Sequence, residues 1–180
     1  MNLDIKIENV VVSAALDVNI NLSAVSEKFR ITQYDPERFP GLVFRFKRPH
    51  TTILLFSSGK MVCTGGSSDR EAKSGVLKVV EELNRAGIKA PVPDIFIRNI
   101  VASANLNRNV DLETAADILG NVMYEPEQFP GMIFRLKRPK TVLLVFASGK
   151  VVCTGGTNEK VVREAVEKLY ETLEDNLLLL

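Results

Sequence analysis

One block of this chain, Tyr34 to Gly66, is written again from Tyr124 to Gly156 at an offset of 90 residues, without a gap and with about two thirds of the aligned positions identical. A chain that repeats itself so closely must build the same supersecondary unit twice. Both copies open with Tyr-acid-Pro-Glu-polar-Phe-Pro-Gly, pass through Phe-Arg-x-Lys-Arg-Pro, and close on Ser-Gly-Lys-x-Val-Cys-Thr-Gly-Gly. The repeats are assigned to residues 1–90 and 91–180. The connection from Ile88 to Asp94, with Pro91 and Pro93, is too short to let them drift apart, so one compact body is expected.

Within each copy the apolar period changes along the chain. Lys6 to Ala14 alternates, putting Asn9, Val11 and Ser13 on one face of a strand and Val10, Val12 and Ala14 on the other; Asn99, Val101 and Ser103 repeat this. Leu22 to Phe29 reads as a short helix entered at Asn21 or Ser23, and Leu112 to Leu119 as its copy entered after Asp111. A turn over Asp35 to Gly41 then leads into strands over Leu42–Arg48, Thr51–Ser57 and Lys60–Thr64, broken at Pro49 and Ser58-Gly59, which is an antiparallel meander. From Asp69 to Arg85 the spacing of Ala72, Val76, Val79, Val80 and Leu83 becomes helical, ended by Gly87; Val162, Val166, Leu169 and Leu173 repeat it. The apolar end, Leu177 to Leu180, is too short to anchor in a membrane and is expected either to fray or to pack on a neighbouring helix.

The helices of each copy suffice to cover one face of a sheet, yet the strands are apolar on both: Leu54 and Phe56 alternate with Ile53 and Leu55, and Val62 with Met61 and Cys63. Either the two halves bury the spare faces against each other, or a continuous sheet leaves an apolar surface for a partner. Charge favours the second. Arg45, Lys47, Arg48 and Lys60, with Arg135, Lys137, Arg138 and Lys150, lie on or beside strands, whereas Glu71, Glu81, Glu82, Glu159, Glu164, Glu167, Glu171, Glu174 and Asp175 lie on the helices, so the net charge of +1 is read as hiding a basic sheet and an acidic back. An apolar strip with a basic border suits a ligand with a greasy interior and a phosphate margin, as in an opened DNA minor groove.

The doubled Glu-x-Phe-Pro-Gly, the Pro-x-Thr or Pro-Lys-Thr before an apolar strand, and Phe-x-Ser-Gly-Lys-x-Val-Cys-Thr-Gly resemble the TATA-box-binding protein family, over nearly the whole chain from Ile5 to Leu173. The short stretch ahead of the first repeat is similar to archaeal members. The resemblance implies an α+β fold: a pseudo-twofold, ten-stranded antiparallel saddle with helices on its convex side and DNA under its concave side. It implies two wedges per half, Phe39 with Phe56 and Phe129 with Phe146. These would enter base steps and kink the duplex, a mechanism for which this family is itself the standard example. Asn9 and Asn99 match minor-groove donors, seconded by Thr64 and Thr154; at A·T pairs that groove shows only acceptors, whereas G·C adds a donor. Val11, Leu54, Val62, Val101, Leu144 and Val152 match an apolar floor, and Arg45, Lys60, Arg135 and Lys150 match phosphate contacts. Sequence choice would then come largely from ease of bending.

The family's partners imply transcription factor B, contacting Glu125, Glu127 and Gln128, and RNA polymerase. A general nucleic-acid-binding module of the same fold, or a self-associating platform that forms a homodimer without DNA, are the alternatives. The chain departs from the family where Gly66-Ser67 and Gly156-Thr157 replace Ala-Lys, and where His50 replaces a basic residue. Arg48 and Arg138 are placed to compensate for the missing lysines.

No enzyme is expected, since no nucleophile and base, phosphate loop or metal cluster recurs. No cofactor or metal is expected either, with a single histidine, His50, and two cysteines, Cys63 and Cys153, at repeat-equivalent sites that read as separate buried thiols. No membrane span or signal peptide is read, which suggests a cytoplasmic, nucleoid-associated protein in an archaeal cell, or a nuclear one in a eukaryotic cell.

Overall fold

Alternation and capping place the elements of the computed structural model, which describes residues 3–180. The first repeat forms β1 (Asp4–Ala15), α1 (Leu22–Lys28), β2 (Thr32–Gln33), β3 (Leu42–Lys47), β4 (His50–Leu55), β5 (Lys60–Gly66) and α2 (Asp69–Arg85). The second forms β6 (Ile95–Asn105), α3 (Leu112–Ile118), β7 (Val122–Met123), β8 (Met132–Lys137), β9 (Lys140–Val145), β10 (Lys150–Gly156) and α4 (Glu159–Asp175). The strands make one open ten-stranded sheet, ordered β2-β3-β4-β5-β1-β6-β10-β9-β8-β7, with pairing antiparallel. Strand β1 starts before Lys6 because Asp4-Ile5-Lys6-Ile7-Glu8 carries the same alternation. The outermost strands β2 and β7 are only two residues long; Thr32 pairs with Phe44 and Val122 with Phe134.

By packing, the chain divides into two units. One is Asn9–Arg98; the other joins residues 3–8 to Asn99–Leu180. In the first, α2 covers β4 and β5, burying Val76, Val79 and Leu83 over a layer that contains Ile53, Leu55, Met61 and Cys63. Gly75 lets the helix come close, for a Cβ there would lie 2.8 Å from the buried Thr51 hydroxyl and 3.2 Å from Cys63 Sγ. In the second unit α4 covers β9 and β10 in the same way, with Val162, Val166, Leu169 and Leu173 fully buried. Both thiols are free and buried, and burial pushes each up to about 11 by disfavouring the thiolate.

The helix ends follow from named side chains. Asn21 and Asp111 cap α1 and α3, and Ser68 and Asn158 cap α2 and α4, each accepting from the backbone N–H three residues on. At Asp111 the Thr114 hydroxyl, and next the Thr114 N–H, hold the carboxyl below its ordinary range. The end of α2 is a Schellman turn: Gly87 has φ +82°, its N–H bonds Asn84 O, and Ile88 N–H bonds Leu83 O at 2.9 Å. The end of α4 closes with the same two bonds, but the residue with positive φ is Leu177, at +57° and 88% exposed. The leucine tail does not fray. Leu178 and Leu179 are buried, Leu179 bridges Val110 ahead of α3, and Arg108 Nη2 donates to Leu179 O at 2.7 Å.

Candidate nucleic-acid interface

In each unit, alternation sends one set of strand side chains under the helices and leaves the other uncovered. In the unit Asn9–Arg98 the uncovered set falls into rows. Val43 pairs with Leu54, Leu54 with Val62 and Val62 with Ser13, a largely apolar row across four strands; beside it Arg45 pairs with Thr52 and Thr52 with Thr64. The second unit repeats the rows as Ile133, Leu144, Val152 and Ser103, and as Arg135, Val142 and Thr154. Val11, Leu54, Val62, Val101, Leu144 and Val152 are all half-buried, with no layer over them, while their sequence neighbours Val10, Val12, Leu55 and Cys63 are buried.

The asparagines are fixed by a bulge. Between β1 and β5 the register runs Val12 opposite Cys63 and then Val10 opposite Gly66, so β5 carries one extra residue there. Gly65 takes φ +100°, which its missing Cβ permits, and turns its N–H onto Asn9 Oδ1 at 2.7 Å. Only an oxygen can accept that bond, so the amide orientation is determined. Asn9 Nδ2 then lies 3.0 Å from Thr64 Oγ1, with one N–H left over. Asn99 is held identically: Gly155 N–H at 2.7 Å, Thr154 Oγ1 at 3.1 Å, and Gly155 at φ +99°.

At the turn into β3, Phe39 meets Phe56 edge-on with ring centroids 5.9 Å apart, and Phe129 meets Phe146 in the same geometry at 5.9 Å. Phe39 and Phe129 are exposed, at 40% and 38%. The Pro-Gly that follows is a packing requirement: a Cβ on Gly41 would sit 2.6 Å from the Phe39 ring and 3.0 Å from Phe56, and Gly131 repeats the constraint. In each unit the two rings stand together at the turn.

Arg45, Lys60, Arg135 and Lys150 are exposed, as are Lys47, Arg48, Lys137 and Arg138, and among the described residues none of the eight is ion-paired with a carboxylate. Arg45 Nη1 is steadied by Gln33 Oε1 at 3.0 Å. Glu125, Glu127 and Gln128 lie apart from the strand rows, exposed on the turn that carries Phe129; the N–H groups of Gln128 and Phe129 both bond Glu125 O. Among the described residues no cluster of three or more His, Cys, Asp or Glu is gathered for a metal, and no helix is long and apolar enough to cross a membrane.

The family model described as transcription factor TFIID, or TATA-binding protein, matches residues 4–86 and again 94–176. The chain belongs to the TATA-binding protein family. It is 50% identical over 169 residues to the TATA-box-binding protein of Pyrodictium occultum, covering 93% of this chain and 85% of that one. It is 46% identical over 175 residues to that of Methanobrevibacter smithii, with 97% of each covered. The solved Methanococcus jannaschii TBP superposes with a TM-score of 0.90 at 43% identity, over 96% of this chain and 99% of that one. The family is one of DNA-binding transcription factors, and these relatives place the chain among its archaeal members.

Against the family's Ala-Lys, Gly66 has a local cause here. A Cβ on it would stand 2.9 Å from the Ala72 backbone nitrogen, so the first turn of α2 sits too close for alanine. Gly156 has a similar neighbour, Val162, at 2.9 Å. Several features near the surface had no separate signal in the sequence: the bulge glycines Gly65 and Gly155 read only as turn residues, and nothing in the pattern sets Arg98 and Glu8 apart from other charged residues.

Proposed function

We propose that this protein is a general transcription initiation factor that binds A·T-rich promoter DNA through the minor groove and bends it. The observation that carries the reading is the doubled donor site: at Asn9 and at Asn99 a bulge N–H takes the amide oxygen and leaves an N–H donor on an apolar, uncovered face. An amide whose oxygen is already engaged and whose N–H is left to donate matches purine N3 and pyrimidine O2. The edge-on Phe39–Phe56 and Phe129–Phe146 pairs supply the wedges, Arg45, Lys60, Arg135 and Lys150 the phosphate contacts, and the valine and leucine rows the floor. Thr64 and Thr154 orient the asparagines.

In this reading the exposed turn with Glu125, Glu127 and Gln128 receives transcription factor B, which brings RNA polymerase, and the protein works at the nucleoid of an archaeal cell. The half-exposed apolar rows favour one further state, a homodimer that covers them when DNA is absent.

The deciding experiment is a titration of a TATA-like duplex carrying a donor and an acceptor dye at its ends. Saturation should shorten the end-to-end distance; an unchanged distance rejects bending, and equal affinity for G·C-rich duplex favours a general nucleic-acid module. Sedimentation without DNA should show dimers that dissociate when duplex is added.

A further inference from the structure

At positions offset by 90 the two units differ in charge: Arg98 stands where the other copy has Glu8, and the uncharged Phe96 where it has Lys6. In the unit Asn9–Arg98, Arg98 Nε donates to Ser13 Oγ at 2.6 Å, and its guanidinium lies 5.4 Å from the centroid of the Phe96 ring. Phe96 is 55% exposed, and among the described residues Arg98 has no carboxylate partner. Both line one groove with Ser13, Phe56, Lys60 and Val62.

In the other unit the equivalent serine faces the opposite charge. Ser103 Oγ donates to Glu8 Oε1 at 2.7 Å, and Lys6 Nζ lies 3.8 Å from the other carboxylate oxygen. Lys6 and Asp4 line the equivalent groove with Ser103, Phe146, Lys150 and Val152. Of the charged residues that line the grooves, Lys60 and Arg98 give the first +2, and Lys6, Lys150 and Asp4 give the second +1; Glu8, bonded to Ser103 at the edge of the second groove, lowers that to 0.

We infer that Arg98, braced by Ser13 and Phe96, is an additional contact to the sugar-phosphate backbone of duplex DNA, and that with Glu8 it sets which way round the protein sits on a symmetric A·T box. The Asn9–Arg98 unit takes the end richer in phosphate charge. A guanidinium held at Nε keeps both Nη groups for a phosphate, and the ring beside it presents an apolar face to a deoxyribose. Phosphate contacts ordinarily position a protein without reading sequence; here their unequal distribution between two like halves makes orientation depend on them. The inference rests on the minor-groove reading above.

The test uses a palindromic A·T-rich duplex with uncharged methylphosphonate linkages at one end. An iron chelator is tethered to Glu37→Cys, an exposed site on the Phe39 turn; Cys63 and Cys153 are buried and stay unlabelled. Strand cleavage should mark the fully charged end in roughly fivefold excess, the ratio of one exposed charge contact of about 1 kcal/mol. The exchange Glu8→Arg with Arg98→Glu should invert the ratio, and Arg98→Gln alone should bring it toward unity. Equal cleavage at both ends by the parent, or a ratio that the exchange leaves unchanged, overturns the inference while DNA binding stands. If the duplex is not bound at all, the minor-groove reading itself fails.

Discussion

Replacing Asn9 with aspartate changes one atom of an amide whose surroundings are fully specified, and so isolates the donor from the fold. The oxygen that accepts Gly65 N–H at 2.7 Å is kept, and the Thr64 hydroxyl, 3.0 Å from the nitrogen that is lost, can turn to donate to the new oxygen. The bulge should survive, with thermal stability unchanged or slightly raised. Toward DNA bound as proposed the sign reverses, because the N–H that would meet adenine N3 or thymine O2 becomes a charged acceptor facing an acceptor. A lost hydrogen bond with an unpaired charge left at a closed interface costs about 2–3 kcal/mol, or roughly 30- to 150-fold in affinity for an A·T box. The same carboxylate can accept from the guanine amino group. The penalty for a central G·C pair, about 1–3 kcal/mol for one wrong pair, should therefore shrink in the variant. Fluorescence anisotropy with the A·T box and its single G·C substitute, at two salt concentrations, measures both quantities. Asn9→Asp binding the A·T box as tightly as the parent, or rejecting G·C as strongly, would refute the donor argument.

Phe146→Ala should lower the bend in the energy-transfer titration more than it lowers the salt slope, whereas Lys150→Ala should reduce that slope by roughly one unit and leave the bend; parallel losses in both variants would show that wedge and phosphate roles are not separable. Leu177→Gly should raise stability by about 0.5–1 kcal/mol, because a left-handed leucine costs about 1–2 kcal/mol and glycine recovers that less its unfolded-state entropy; a lowered denaturation midpoint would refute it. With thiols raised to about 11 from 9.0, the native state holds protons that the unfolded state has released. Stability should thus fall as pH rises from 9 toward 11, by at most about 1.4 kcal/mol per thiol per unit, and less in Cys63→Ala/Cys153→Ala. At pH 8 a thiol reagent should label neither cysteine until denaturant exposes both, and fast labelling of the folded chain would contradict their burial.

What could be read from the sequence was whatever a local period or a cap defines. The bounds of α2 agree with the expectation, Asp69 to Arg85, because Ser68, the spacing of Val76, Val79 and Leu83, and Gly87 all act within a turn of where they sit. The faces of β1 were legible for the same reason, Val10 and Val12 being buried and Val11 not. Strand β2 was not, since Thr32-Gln33 has no period and exists only through its pairing with Val43 and Phe44. Nor was the fate of the leucine tail decided, because Leu179 finds its partner at Val110, nearly 70 residues earlier, and its carbonyl is held by Arg108. At the candidate interface the residue types were visible but their constraints were not. Gly41 reads as a turn glycine, and only the ring positions show that its missing Cβ leaves room for Phe39 beside Phe56.

The duplication explains why the surface exists, and its imperfections explain how the surface could be used. Residues that hold the geometry are the same in both copies: Asn9 and Asn99, Gly65 and Gly155, Gly41 and Gly131, and the two phenylalanine pairs. A change at any of them breaks a bond or fills a contact already at its limit, so the copies could not diverge there without losing the site. Arg98 and Glu8 carry no such burden. Each is exposed, and beyond an exposed neighbour on its own strand, Lys6 or Phe96, it bonds a serine hydroxyl, which donates to a carboxylate as readily as it accepts from a guanidinium. Ser13 and Ser103 thus let the charge opposite them invert without disturbing the strands. A twofold protein on a twofold box has no preferred direction, and the least costly place to give it one is an exposed side chain beside the uncovered face that holds nothing essential to the fold.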